Sequence, residues 1–228
     1  MSRALLVFAK VPRPGHVKTR LTPVLTPAAA ARLYTAFLRD ALRQYERLDA
    51  AVRLYVAPPL PEDGLVGVPN GVSVHEQTGE GLGERMKNAF RDGFEAGYEQ
   101  LIVVGTDHPT LPSAFLDQGF EALAGGPCIS IGPSVDGGFY LLGMNAPYPV
   151  LFDEMSYSHE HVFSDTVARA GETDASVAVL PEWYDVDTPQ ALRRLLDDLE
   201  RADGAVPNTR RIISTLNLRD RLSKNTSE

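Results

Sequence analysis

Apolar residues recur along this chain in two rhythms. The short unbroken runs Ala4 to Ala9 and Leu101 to Val104 are too brief for helices and are closed by Gly or charge, and Cys128 to Gly132 is a further strand-length run. Such runs predict strands buried on both faces. Val52 to Ala57, Val72 to His75, Phe139 to Leu142 and Val177 to Leu180 predict four more strands. Between them, apolar positions return at helical spacing: Tyr34, Phe37, Leu38, Ala41, Leu42 and Tyr45, then Met86, Phe90, Phe94 and Tyr98, then Leu192, Leu195, Leu196 and Leu199. Thr26 as N-cap and Pro27 at the first helical position open the first of these helices, and Thr188-Pro189 opens the last. Ser113 is placed to cap a helix to about Ala124, and His159 to Ala170 reads as a weaker one. From Asn217 onward the chain is polar and reads as frayed. Strands alternating with helices predict βαβ units, hence an α/β fold with a mostly parallel central sheet. No repeat, low-complexity block or long linker divides the chain, so one domain is expected.

Composition narrows the function classes. At 228 residues with 43% hydrophobic content, the chain can bury a sizeable core. Its net charge of −8, from 22 basic and 30 acidic residues, argues against general affinity for nucleic acid or anionic membrane. The one cysteine, Cys128, lies in an apolar run and cannot form an intrachain disulfide. The opening apolar run is too short for a signal peptide and no stretch approaches a membrane span, so a cytoplasmic protein is expected.

Against that acidic background one loop stands out. Lys10 to Leu21 follows the first strand and carries Lys10, Arg13, Lys18 and Arg20, with Gly15 allowing backbone amides to approach a ligand. Polyphosphates call for such donors, Lys as a point charge and Arg as a planar fork. A solvated basic loop is the plain alternative. The central strand ends in Gly105-Thr106-Asp107, with Pro109 and Pro112 stopping further pairing. A carboxylate there sits where open α/β sheets bind ligands, although Asp107 could equally cap or turn the chain. Asp136-Gly137-Gly138 is a tight turn, with or without a ligand over its glycines. Asp185 and Asp187 fall on one side of an extended piece by period-two alternation, and Asp187 could instead cap the helix opened by Thr188. Carboxylates suit Mg²⁺ or Mn²⁺, which take one or two of them together with substrate phosphates.

Two familiar motifs fail. Gly15-His16-Val17-Lys18-Thr19 lacks the glycines of a P-loop, and Gly79-x-Gly81-x-Gly83 has Glu84 where a dinucleotide fingerprint needs glycine. His159-x-His161 is rejected as a metal site, because that spacing on a helix turns the rings apart.

Four segments in order carry a resemblance: Phe8-Ala9-Lys10-x-Pro12-x-Pro14-Gly15-x-Val17-Lys18-Thr19-Arg20-Leu21, Gly105-Thr106-Asp107-x-Pro109-x-Leu111, Gly132-Pro133-x-x-Asp136-Gly137-Gly138-Phe139-Tyr140-Leu141-Leu142-Gly143, and Asp185-Val186-Asp187-Thr188-Pro189. Together they resemble a bacterial glycosyltransferase family of the GT-A fold, in the nucleotide-diphospho-sugar transferase superfamily. The layout is also similar to 2-phospholactate guanylyltransferases and molybdenum-cofactor nucleotidyltransferases. The resemblance spans roughly residues 4 to 200. It implies a three-layer α/β/α sandwich, Rossmann-like, over residues 1–204, with 205–228 as a partly helical, then frayed, extension.

It further implies a nucleotide held by Ala9, Lys10, Pro14, Gly15, Lys18 and Arg20, with Gly83, Thr106 and Asp107. Asp107, Asp187 and nearby Asp185 would hold the metal, and Asp136, Gly137 and Gly138 would floor the substrate pocket. Asp107, Asp136 and Lys18 would be catalytic. Partners would be a nucleotide or nucleotide-sugar donor and a small-molecule acceptor, with a homodimer as one assembly. Glycosyl transfer leads. Nucleotidyl transfer with release of pyrophosphate is the alternative, and a non-catalytic nucleotide-binding protein is the third reading.

Overall fold

The computed structural model describes all residues except 63, 66, 202–205 and 225–228. Its strands are β1 (Arg3–Ala9), β2 (Ala51–Val56), β3 (Ser73–Glu76), β4 (Gln100–Val104), β5 (Cys128–Pro133), β6 (Phe139–Met144) and β7 (Ser176–Val179). The helices are α1 (Pro27–Tyr45), α2 (Leu82–Glu95), α3 (Ser113–Ala122), α4 (Val162–Ala170), α5 (Pro189–Arg201), α6 (Pro207–Thr215) and α7 (Leu218–Lys224). One sheet runs in the order β3-β2-β1-β4-β6-β5-β7.

The central strands β1 and β4 owe their burial to apolar residues on both faces. Leu5 and Val7 of β1, with Ile102 and Val104 of β4, join Leu38 and Leu42 of α1 and Leu116 and Phe120 of α3. The alternate residues Ala4, Leu6, Leu101 and Val103 join Met86 and Phe90 of α2 on the other face. The period of two thus makes three layers, helix on sheet on helix. Each fully buried leucine contributes roughly 1.5–3 kcal/mol, so the two central strands are firm supports for whatever their carboxyl ends carry.

β6 runs against its neighbours, antiparallel to both β4 and β5, whereas the other pairings are parallel. The short link before it is the cause. β5 passes to β6 through a turn closed by Ser134 N–H to Gly138 O and Gly137 N–H to Ser134 O, both 2.9 Å. A parallel return would need a crossover of about a dozen residues.

Helix starts follow the sequence signals with exceptions. Thr26 Oγ1 accepts from Ala29 N at 3.2 Å, with Pro27 in the first turn. Thr188 Oγ1 accepts from Ala191 N at 3.2 Å at the start of α5, which leaves Asp187 for other work. Ser113 does not cap α3: it is the first helical residue, and Pro112 before it offers no side-chain acceptor. α4 begins at Val162 rather than His159.

The polar run after Asn217 contains Leu218 and Leu222, four apart and both buried, and it forms α7 instead of fraying. These leucines join Leu192, Leu195 and Leu199 of α5, Ile212 and Ile213 of α6, and Leu33 and Phe37 of α1 in an outer apolar cluster. Asp40 of α1 is buried and accepts from Asn208 N (3.1 Å), Asn208 Nδ2 (2.7 Å) and Thr209 N (2.7 Å), capping α6 from outside. The boundary expected at 204/205 and the tail beyond Lys224 lie outside the described residues. Cys128 is a buried free thiol. Among the described residues no helix is long and apolar enough to cross a membrane.

Candidate active site

Two chain segments meet at the carboxyl end of β4. The backbone N–H of Val186 donates to the carbonyl of Asp107 at 2.8 Å, pinning the 185–187 segment beside the loop that follows the strand. Val186 itself is fully buried. Asp107 and Asp187 therefore lie close together on fixed backbone.

Between them stands Lys18. Its Nζ is 2.6 Å from Asp107 Oδ1 and 2.7 Å from Asp187 Oδ1. The exposures differ sharply: the Lys18 side chain is 2% exposed, those of Asp107 and Asp187 are 42% and 40%. The ammonium lies inside while its counter-charges face solvent. Lys18 reaches this place from a left-handed backbone, φ 50°, just before the short 3₁₀ turn Thr19–Leu21. Val17 anchors the loop by packing on Ala31 and Tyr34. The rings of Tyr34 and Phe37 lie 5.9 and 5.4 Å from Nζ and offer their π faces to the charge. Burial alone would pull the Lys18 pKa below the ordinary lysine value. The charges and hydrogen bonds of Asp107 and Asp187 overturn this and hold it above.

Tyr34 ties the two loops together. Its hydroxyl accepts from Lys10 N at 2.9 Å and shares a hydrogen bond with Thr106 Oγ1 at 3.0 Å. Burial first, and then the Asp107 charge, push its pKa up to about 12, so the phenol stays neutral. Its helical spacing reads as a core position, and nothing in the sequence marks its hydroxyl as a link between loops.

Asp185 takes different partners from Asp187. Its Oδ1 is 3.2 Å from His108 Nδ1 and its Oδ2 accepts from Ser134 Oγ at 3.4 Å. Only Asp187 of the pair contacts Lys18. His108 is buried edge-on to Tyr140, and its Nε2 has no hydrogen-bond partner among the described residues.

The Asp136 turn is joined to the same region. Val135 N donates to Trp183 O and Trp183 N to Pro133 O, both at 3.0 Å. Asp136 is exposed, and its Oδ1 accepts from Gly138 N at 3.1 Å. Gly137 has φ +88°, and a Cβ there would fall 2.1 Å from the Glu160 carbonyl. That glycine is required by backbone packing whether or not a ligand lies above it. Gly83, in the first turn of α2, lies against the ring of Tyr157. Lys10, Arg13, Pro14, Gly15, His16 and Arg20 are exposed on the first loop. Ala9 is buried, and its carbonyl accepts from Ala57 N at 2.8 Å and Gln77 Nε2 at 3.4 Å.

Among the described residues no cluster of three or more His, Cys, Asp or Glu side chains could hold an ion. The donor set is two half-exposed carboxylates converging on one point. That set fits Mg²⁺ or Mn²⁺, ions commonly held by one or two carboxylates with substrate phosphates completing the shell.

A family model described as "uncharacterized protein conserved in bacteria (DUF2064)" matches residues 38–159, more than half of the chain. A candidate nucleotide-diphospho-sugar transferase from Desulfovibrio desulfuricans G20 superposes with a TM-score of 0.88 at 32% sequence identity, covering 97% of this chain and 99% of that one. 4-Diphosphocytidyl-2C-methyl-D-erythritol synthase gives a TM-score of 0.56 at 16% identity, covering 86% and 98%. A cytidylyltransferase from Leptospira borgpetersenii serovar Hardjo-bovis gives 0.56 at 13%, covering 97% of each chain. The last two share the fold. No curated protein matches the chain in sequence.

Proposed function

Starting from the premise that this chain belongs to the bacterial DUF2064 family, within the nucleotide-diphospho-sugar transferase superfamily, we propose that it is a metal-dependent glycosyltransferase of the cytoplasm. It is a transferase that uses a nucleotide-activated donor. The finer reading is transfer of a sugar from a nucleotide sugar to a small-molecule acceptor, with residues 1–204 as the working unit and 205–228 as an extension.

The observation that carries this reading is the buried Lys18 ammonium bridging Asp107 and Asp187. A bound Mg²⁺ or Mn²⁺, held by Asp107 and Asp187, would supply Lewis-acid stabilisation of the departing diphosphate. Lys18 and the exposed Lys10, Arg13 and Arg20 bring positive charge to the same oxygens. Asp136, exposed at its turn, is the base assigned to the acceptor hydroxyl. That hydroxyl attacks the anomeric carbon, its proton passes to the carboxylate, and the nucleoside diphosphate leaves with the bonding pair. Asp185, engaged with His108 and Ser134, orients the segment that carries Asp187.

The basic loop also favours a second reading, nucleotidyl transfer. There an acceptor phosphate attacks the α-phosphorus of a nucleoside triphosphate and pyrophosphate leaves, with Lys18 and Arg20 offsetting the added charge.

The test is incubation with Mn²⁺ and panels of nucleotide sugars and nucleoside triphosphates, with cell-extract acceptors. Release of nucleoside diphosphate from a nucleotide sugar supports glycosyl transfer, and release of pyrophosphate supports the second reading. Tight nucleotide binding without turnover overturns both and leaves a binding protein.

A further inference from the structure

The Lys18 ammonium occupies the point on which Asp107 Oδ1 and Asp187 Oδ1 converge, at 2.6 and 2.7 Å. An ion bridging those oxygens and the ammonium cannot share that point. The acids are held by backbone, through the Val186 to Asp107 hydrogen bond, so the flexible partner is the lysine stem. We propose that Lys18 is a place-holder for the divalent ion, and that the site takes its metal as a chelate of a nucleoside diphosphate or triphosphate, not as the free ion. This rests on the metal-dependent transferase reading above.

The physical case is one of unpaired charge. Lys18 is 2% exposed over the rings of Tyr34 and Phe37. A free ion that claims its two oxygens strands a buried ammonium, and a stranded buried charge is strongly destabilising. A nucleotide arriving with the ion changes the outcome, because its phosphate oxygens receive the displaced ammonium. The charges agree. Lys18, Asp107 and Asp187 together sum to one negative charge, which repels a bare polyphosphate. With a divalent ion the sum becomes one positive charge, which attracts it. Metal and polyphosphate then raise each other's affinity by the same factor, as linkage requires.

Isothermal titration of the full chain tests this with Mn²⁺ alone and with a preformed Mn²⁺–tripolyphosphate chelate, which avoids the question of the base. The wild-type protein is expected to bind the chelate at least tenfold more tightly than free Mn²⁺. In Lys18→Met, free Mn²⁺ binds at least tenfold more tightly than in wild type, and the advantage of the chelate shrinks to what the other basic residues of the loop supply. Lys18→Gln, which keeps a polar head group, is titrated beside it with circular dichroism on both, so that a misfolded methionine variant cannot decide the result. Equal affinity for free Mn²⁺ in wild type and both variants, abolished by Asp107→Asn, overturns the place-holder while leaving the metal site standing. Such a result would mean that the ion uses the outer carboxylate oxygens. Absence of Mn²⁺ binding in every form overturns the metal-dependent reading together with the place-holder.

Discussion

Two buried charges on and beside α1 are held in opposite ways. Asp40 is 4% exposed and accepts from three N–H groups of Asn208 and Thr209, all fixed at the start of α6. Lys18 is 8% exposed as a residue and is held by two carboxylates that stand in water. The three groups that bind Asp40 are neutral N–H dipoles of the α6 start, so it joins helices. Lys18 faces charged partners open to competition from ions and phosphates, so it can exchange them. On the function proposed above, the access of the partners, more than the burial of the charge, separates a structural ion from a working one.

Substitutions should break the molecule along the same line. The largest effect is expected at the working charge: Asp107→Asn or Asp187→Asn should slow transfer by about 10³-fold, about 4 kcal/mol of barrier, in single-turnover assays. The melting temperature should change little, because Lys18 keeps its other acid. A stability loss with transfer intact would place these acids beside Asp40 in kind. Next comes Asp40→Ala, which orphans the donors at the start of α6 and should cost about 3 kcal/mol in urea unfolding while turnover in native buffer stays within twofold.

Tyr34→Phe should be milder, about 1 kcal/mol, since it removes one shared hydroxyl between Lys10 N and Thr106. It should appear mainly as a raised KM for the donor. The smallest effect at neutral pH comes from titration. Tyr34 and Lys18 both have folded-state pKa values above their ordinary ones. Their contribution is therefore complete below about pH 10, where the unfolded chain is also protonated, and is lost as pH rises through the folded values. Stability should fall between about pH 10 and 12, followed by urea midpoints and tyrosinate absorbance. A flat profile there would contradict the buried, protonated Tyr34.

The sequence was most legible where apolar periodicity and end signals agreed. β1 and β4 were readable because unbroken apolar runs have few other uses, and α1 because Thr26 and Pro27 mark its start. The meeting of Asp107 with Asp187 was readable as chemistry, because acids at strand ends suit phosphates and ions. The direction of β6 was hidden, since an apolar run reads alike in both senses. Its signal was the brevity of the Ser134 to Gly138 link. The separate engagement of Asp185 was hidden as well, because a two-residue alternation ignores which neighbours stand on each side. Leu218 and Leu222 are masked by the polar run around them, although their spacing of four is that of a helix. Tyr34 reads as core from its spacing, and its ring is core. Only the hydroxyl joins the loops.

Helix α1 has one more consequence. Within two turns it sends Tyr34 and Phe37 toward Lys18 and Asp40 toward α6. It thus works as a beam loaded from both sides, and the C-terminal helices act as its buttress. A shortened chain ending near Arg201 would retain every charged group of the rim yet lose the brace behind them.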